Sequence, residues 1–131
     1  MAVVPLLSDV EAAPEARAVF DEIRAARGTD YVNNFWRALA HDPALLRATW
    51  ERVRAVMAPG ALDPLVKEMV YVAVSAANGC SYCVHSHSAA AKAKGMTPAQ
   101  HGELLAVIGM AMQTNGLATA LQVEVDDAFR A

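Results

Sequence analysis

Residues 62–96 read LDPLVKEMVYVAVSAANGCSYCVHSHSAAAKAKGM, and this stretch decides the fold. Asp63-Pro64 puts an N-cap side chain directly before a proline at the first helical position, where the missing N–H costs nothing. Asn78-Gly79 is a turn dipeptide far more readily than a helix interior. The pattern predicts a helical hairpin. One helix runs from Pro64 to about Ala77 and the next from about Cys80 to Lys94, with Gly95 as its C′ residue. Val70 to Val74 contains β-branched residues, but no alternating run is long enough for a confident strand.

The same start signal recurs on both sides, at Asp42-Pro43 and at Thr97-Pro98. The first precedes Leu46, Trp50, Val53 and Met57, an apolar stripe that Pro59-Gly60 ends. The second is strengthened by Gln100 at the capping-box position three after Thr97. Nearer the N-terminus, Pro14 opens a segment in which Ala16, Val19, Phe20 and Ile23 fall at helical spacing until Gly28 offers a stop. A turn over Gly28-Thr29-Asp30 leads into a short helix within Tyr31 to Ala40, and Trp36 and Trp50 read as core. After Thr97 a short helix and then a longer one, roughly Glu103 to Ala128 and bent near Asn115-Gly116, are expected. Gly102, Gly109 and Gly116 recur every seven residues, either by chance in a Gly/Ala-rich tail or as a small-residue stripe that lets another helix approach. The expected fold class is all-α. It is a single-domain helical bundle of about six to seven helices over residues 1–131, with a central hairpin carrying the Cys-x-x-Cys motif in a core region of about 62–96.

A chain of 131 residues can bury one core without disulfide or metal staples. Its 55% hydrophobic content and mean hydropathy of +0.22 are slightly high for a globular domain, which predicts a subunit interface or an apolar pocket. The net charge of −3, with eleven basic residues scattered among fourteen acidic ones, gives no footprint for nucleic acid or an anionic membrane. Residues 1–13 lack a basic start and carry Asp9 and Glu11, unlike a signal peptide, and no uninterrupted apolar run approaches the ~20 residues of a membrane span. A cytoplasmic location is expected. There, two cysteines three apart are catalytic or metal-binding more often than a structural staple.

Cys80, Cys83 and His87 lie at i, i+3 and i+7, on one stripe of a helix that starts at Cys80. The spacing brings the thiols within disulfide reach. In the first turn they face unsatisfied backbone N–H groups and the positive end of the macrodipole, both of which favour thiolate. His87, one turn beyond Cys83, is spaced to take or return a proton. Glu68 sits among Leu65, Val66, Met69, Val70 and Val72 on the preceding helix, where a carboxylate wants a reason. It lies about 15 Å back from the turn and His87 about 12 Å forward along antiparallel helices, so the two can meet. Desolvation is expected to pull the Glu68 pKa upward.

Glu68, Cys80, Ser81-Tyr82, Cys83 and His87 at these spacings resemble the active-site signature of the alkylhydroperoxidase D-like branch of the carboxymuconolactone decarboxylase superfamily. The resemblance covers about Leu62 to Met96 and, more loosely, Asn33 to Pro43. It implies an all-helical homo-oligomer, commonly a trimer or hexamer, that needs no cofactor. Such a protein cycles between dithiol and disulfide while reducing a peroxide or a partner's disulfide. By the resemblance Cys83 attacks the peroxide, while Cys80 resolves it and shares a proton relay with Glu68 and His87. Lipoyl-carrying proteins, peroxiredoxins or another thiol reductant are the implied partners. Tyr82, a possible pocket residue, stands where the best-studied kind of relative has a His, and a phenol does not shuttle protons near neutral pH without a large shift. The superfamily's decarboxylases look different at the dithiol, so the intact pair argues against that activity.

Two other readings fit the residues. Cys80, Cys83, His85 and His87 offer metal-ligand chemistry within eight residues, but His85 points away from the stripe, and a closed site needs a remote ligand such as His101 or His41. No metal is expected, and His85 and His101 read as surface residues. The third class is a non-catalytic helical oligomer whose dithiol only senses oxidant.

Overall fold

The computed structural model describes residues 1–130, and they form six α-helices and one 3₁₀ turn. Among the described residues there is no strand, so the chain is all-α as its sequence predicts. Its contacts cluster into two compact units, Met1–Ala58 and Pro59–Ala131.

The first unit holds α1 (Pro14–Arg27), α2 (Asn34–Leu39) and α3 (Pro43–Met57). Gly28 ends α1 in the left-handed conformation, at φ +63°, which costs a glycine nothing. The Asp42 side chain caps α3 by accepting from the Leu45 N–H at 3.0 Å. The apolar stripes of the three helices then meet. Ala16, Val19, Phe20 and Ile23 of α1 pack with Trp36 of α2 and with Leu46 and Trp50 of α3. Trp36 and Trp50 touch edge to face, 5.6 Å between centroids, confirming both as core. Each large side chain buried there stabilises the unit by about 1.5–3 kcal/mol. Asp9 pins the N-terminal segment through ion pairs to Arg24 (2.7 Å) and Arg37 (3.2 Å).

The second unit holds α4 (Pro64–Ala77), α5 (Ser81–Ala93), α6 (Pro98–Leu121) and the 3₁₀ turn Asp127–Phe129. Asp63 caps α4 by accepting from the Leu65 N–H at 2.8 Å. The α4–α5 turn needs Gly79, at φ +68°, and the Cys80 N–H closes it by donating to the Ser75 carbonyl at 2.9 Å. Val72, Ala91, Met96 and Leu104 form the buried core, with Leu65, Met69, Ala73 and Ile108 packed on it. The expected capping box is present: the Gln100 N–H donates to Thr97 Oγ1 (3.1 Å), and the Thr97 N–H donates to Gln100 Oε1 (2.9 Å).

The tail differs from its sequence reading. Pro98–Leu121 is one unbroken helix with no separate first segment, and it stops short of Ala128. Asn115 and Gly116 lie within it, since a glycine in a helix costs only about 1 kcal/mol and removes no hydrogen bond. Gln122, in the left-handed conformation, ends it. Among the described residues, a Cβ at Gly102, Gly109 or Gly116 would meet nothing within 4 Å, so this glycine stripe has no packing partner there. Leu104 is the one buried residue of α6, while Leu105, Val107, Met110, Met112, Leu117 and Leu121 are exposed. The helix is long and apolar enough, by length and composition, to cross a membrane. The sequence reading missed this run because Gln113, Thr114 and Asn115 break its apolar appearance without adding charge.

Candidate active site

Cys80 is the N-cap of α5 and Cys83 lies in its first turn. Both are free thiols and both are partly exposed. Hydrogen bonding from the Cys83 side chain, and then from the Cys83 backbone, holds the Cys80 thiol below its ordinary value. Burial pushes Cys83 the other way, up to about 11, and the neighbouring Cys80 adds to the rise. The dithiol is therefore electrically uneven. The expectation that both thiols lean towards thiolate holds at Cys80 and fails at Cys83, where burial dominates.

Glu68 lies on the core-facing side of α4 and is 4% exposed. His87 Nδ1–H donates to its Oε2 at 2.7 Å, so the two residues meet across the hairpin. Its other oxygen, Oε1, accepts from Lys94 Nζ at 3.0 Å. Burial alone raises this carboxyl, but the hydrogen bonds from His87 and Lys94 outweigh it and hold Glu68 below the usual carboxylate value. The upward shift expected from the sequence is thus reversed, because that reading saw the apolar neighbours and not the ammonium.

Tyr71, one turn after Glu68 on α4, lies flat on the imidazole of His87. Burial raises its phenol, and negative charge on Cys83, Cys80 and Glu68 raises it further. Of the four sequence-predicted residues, Glu68 and His87 are joined by a hydrogen bond, and Cys80 and Cys83 lie within one turn of each other at the start of α5.

Tyr82 is 42% exposed and lines an open cavity of about 470 Å³ with Ser81, His85 and Ser86. His85 Nδ1 is held by the Ser81 carbonyl at 2.8 Å. His101 is half-buried, not fully on the surface as expected. Among the described residues, no group of three His, Cys, Asp or Glu side chains is arranged to hold a metal ion.

Sequence reasoning missed Lys94 and Tyr71. Lys94 is seven residues after His87, the same interval that separates Cys80 from His87, and Tyr71 is three after Glu68. Both intervals return a side chain to the same helix face, so the periodicity that found the motif also reaches them.

Comparison with known proteins shows the family of the chain. The chain is 41% identical over 71 residues to an alkyl hydroperoxide reductase AhpD from Solibacter usitatus, a match covering 54% of this chain and 38% of that protein. The chain thus spans well under half the length of that curated relative. It is also 65% identical to the crystal structure of the alkylhydroperoxidase AhpD core from Rhodospirillum rubrum, with a TM-score of 0.96 over 100% of this chain and 98% of that one. The carboxymuconolactone decarboxylase family model matches residues 43–124, which include the whole α4–α5 hairpin. With the dithiol and its Glu–His pair in this hairpin, the chain belongs to the carboxymuconolactone decarboxylase family, in its AhpD-like branch.

Proposed function

We propose that the protein is a thiol-dependent peroxidase or disulfide reductase that cycles between dithiol and disulfide at Cys80 and Cys83. The observation that carries this reading is the placement of two free thiols at the start of α5, Cys80 as its N-cap and Cys83 in its first turn, with the Cys80 thiol lowered and the Cys83 thiol raised. Cys80 first releases its proton to the His87–Glu68 relay; its thiolate then takes the Cys83 proton as Cys83 attacks the terminal oxygen of a hydroperoxide, breaking the O–O bond and leaving a Cys83 sulfenic acid and an alkoxide, which the relay protonates to the alcohol. The Cys80 thiol then displaces the sulfenic oxygen, which leaves as water with the Cys80 proton. The balance is one hydroperoxide and two thiols giving one alcohol, one water and one disulfide. An external dithiol, such as a lipoyl group, restores the pair by two thiol–disulfide exchanges.

The whole of residues 1–131 acts as one domain in this reading, supported by the family match to residues 43–124, and assembles as a homo-oligomer, a trimer or hexamer. Supporting assembly, Val66, Val70 and Val74 leave an apolar stripe exposed on α4, and α6 exposes its own apolar side chains. A reducing cytoplasm keeps the pair as dithiol between turnovers.

The test is thiol titration and intact-mass measurement before and after one equivalent of an alkyl hydroperoxide. Disulfide formation removes both thiols and about 2 Da. Repeated turnover with a dithiol then separates an enzyme from a sensor. Retention of both thiols after peroxide and after a disulfide substrate overturns the reading.

A further inference from the structure

Glu68 has two basic partners, both supplied by α5. His87 takes Oε2 from the middle of that helix, and Lys94 reaches Oε1 from its C-cap, two turns further on. The carboxylate is almost fully buried, whereas the Lys94 side chain is 40% exposed. Thus an ammonium with access to water extends inward to a carboxylate without it. A surface lysine gains little from an exposed ion pair, but a buried carboxylate that loses a partner keeps an unsatisfied oxygen.

We propose that Lys94 is a positioning residue of the dithiol site, anchoring the Glu68 carboxylate through Oε1 so that Oε2 stays aimed at His87 Nδ1. This rests on the dithiol reading above and names a residue that the four-residue motif omits. With Oε1 anchored, the carboxylate cannot rotate away from the imidazole. His87 then keeps its proton on Nδ1 and its Nε2 lone pair for the relay.

The groups facing Glu68 are few. From α5 come His87 and Lys94, and from α4 comes Tyr71, whose phenol feels the Glu68 charge. The packing of α6 in this unit is through Leu104 and Ile108, which carry no charge. Tyr71 also feels the charge of Cys80 and Cys83. Removing the ammonium leaves burial opposed by His87 alone, so the carboxyl of the Lys94→Met variant takes up its proton at higher pH.

The experiment follows the Glu68 side-chain carboxyl by carbon-13 NMR over a pH titration in the wild type, Lys94→Met and Lys94→Arg, with Glu68→Gln to assign the signal. Lys94→Met should raise the midpoint by about one unit or more, and Lys94→Arg should restore it. Peroxide-driven dithiol oxidation in Lys94→Met should fall about threefold to tenfold, with its acidic limb moved to higher pH. An unchanged midpoint, or one that Lys94→Arg fails to restore, overturns the proposal. The NMR titration needs no turnover, so an inactive wild type sinks the dithiol reading while Lys94 is still judged by the Glu68 signal.

Discussion

Tyr71 stacks on His87 with ring centroids 3.5 Å apart and planes inclined by 16°. The Glu68 bond fixes one edge of the imidazole and the phenol covers a face, which leaves the ring little freedom to rotate. Tyr71→Phe keeps this restraint and should retain most turnover. Tyr71→Ala removes it and should lower turnover about tenfold, since a displaced catalytic group is costly. Equal activity in both variants, measured as peroxide-dependent thiol loss, would show that the stack has no role.

The uneven thiols predict an order of alkylation. Cys80, lowered from the ordinary 9.0, should react with iodoacetamide at a pH where a normal thiol is slow, while Cys83, at about 11, should lag. Peptide mass spectrometry across a pH series reads the two separately. Faster labelling of Cys83 at neutral pH would reverse the picture.

Cys83→Ser should abolish turnover and leave helicity intact, because the serine preserves the shape of the first turn. Cys80→Ser should still lose the Cys83 thiol to peroxide but form no intramolecular disulfide, giving a sulfenic acid that dimedone traps. Wild-type-like turnover in Cys83→Ser removes that residue from the mechanism.

Glu68 also predicts how stability depends on acid. Its folded pKa is depressed below the ordinary 4.5, so its contribution is fully present above that pH and is lost as pH falls through the lower folded value. Glu68→Gln should flatten the stability profile in that acid window and slow turnover at neutral pH by about tenfold to a hundredfold. Denaturant melts at a series of pH values make the check. A wild-type profile that stays level below pH 4.5 contradicts the assigned direction.

Assembly is open to a surface test. Val70→Lys on α4 and Val107→Lys on α6 each put a charge into an exposed apolar surface. If these surfaces are buried between copies, light scattering should show a smaller particle for either variant, with helicity unchanged. A wild type that is monomeric at micromolar concentration rules out the oligomer.

Much of the helical framework is legible because helix limits are local. Asp42, Asp63 and Thr97 each cap within three residues of the helix they start, and Pro43, Pro64 and Pro98 follow directly. The end of α6 was harder to read. Its hydrophobic residues spread around the helix instead of forming one stripe, so the pattern gave no limit to count towards, and Gln122 ends it with none of the usual glycine signal.

The all-α class, the hairpin and the one-stripe spacing of Cys80, Cys83 and His87 are readable from local pattern, since these depend on neighbours within a turn or two of helix. Only the tertiary structure decided that Lys94 shares Glu68 with His87, that Tyr71 covers the imidazole, and that Glu68 is lowered, not raised. The physical reason is distance along the chain. Glu68 and Lys94 are separated by 26 residues, and nothing in either one's local pattern fixes the rotation of α4 against α5 that brings their charges together.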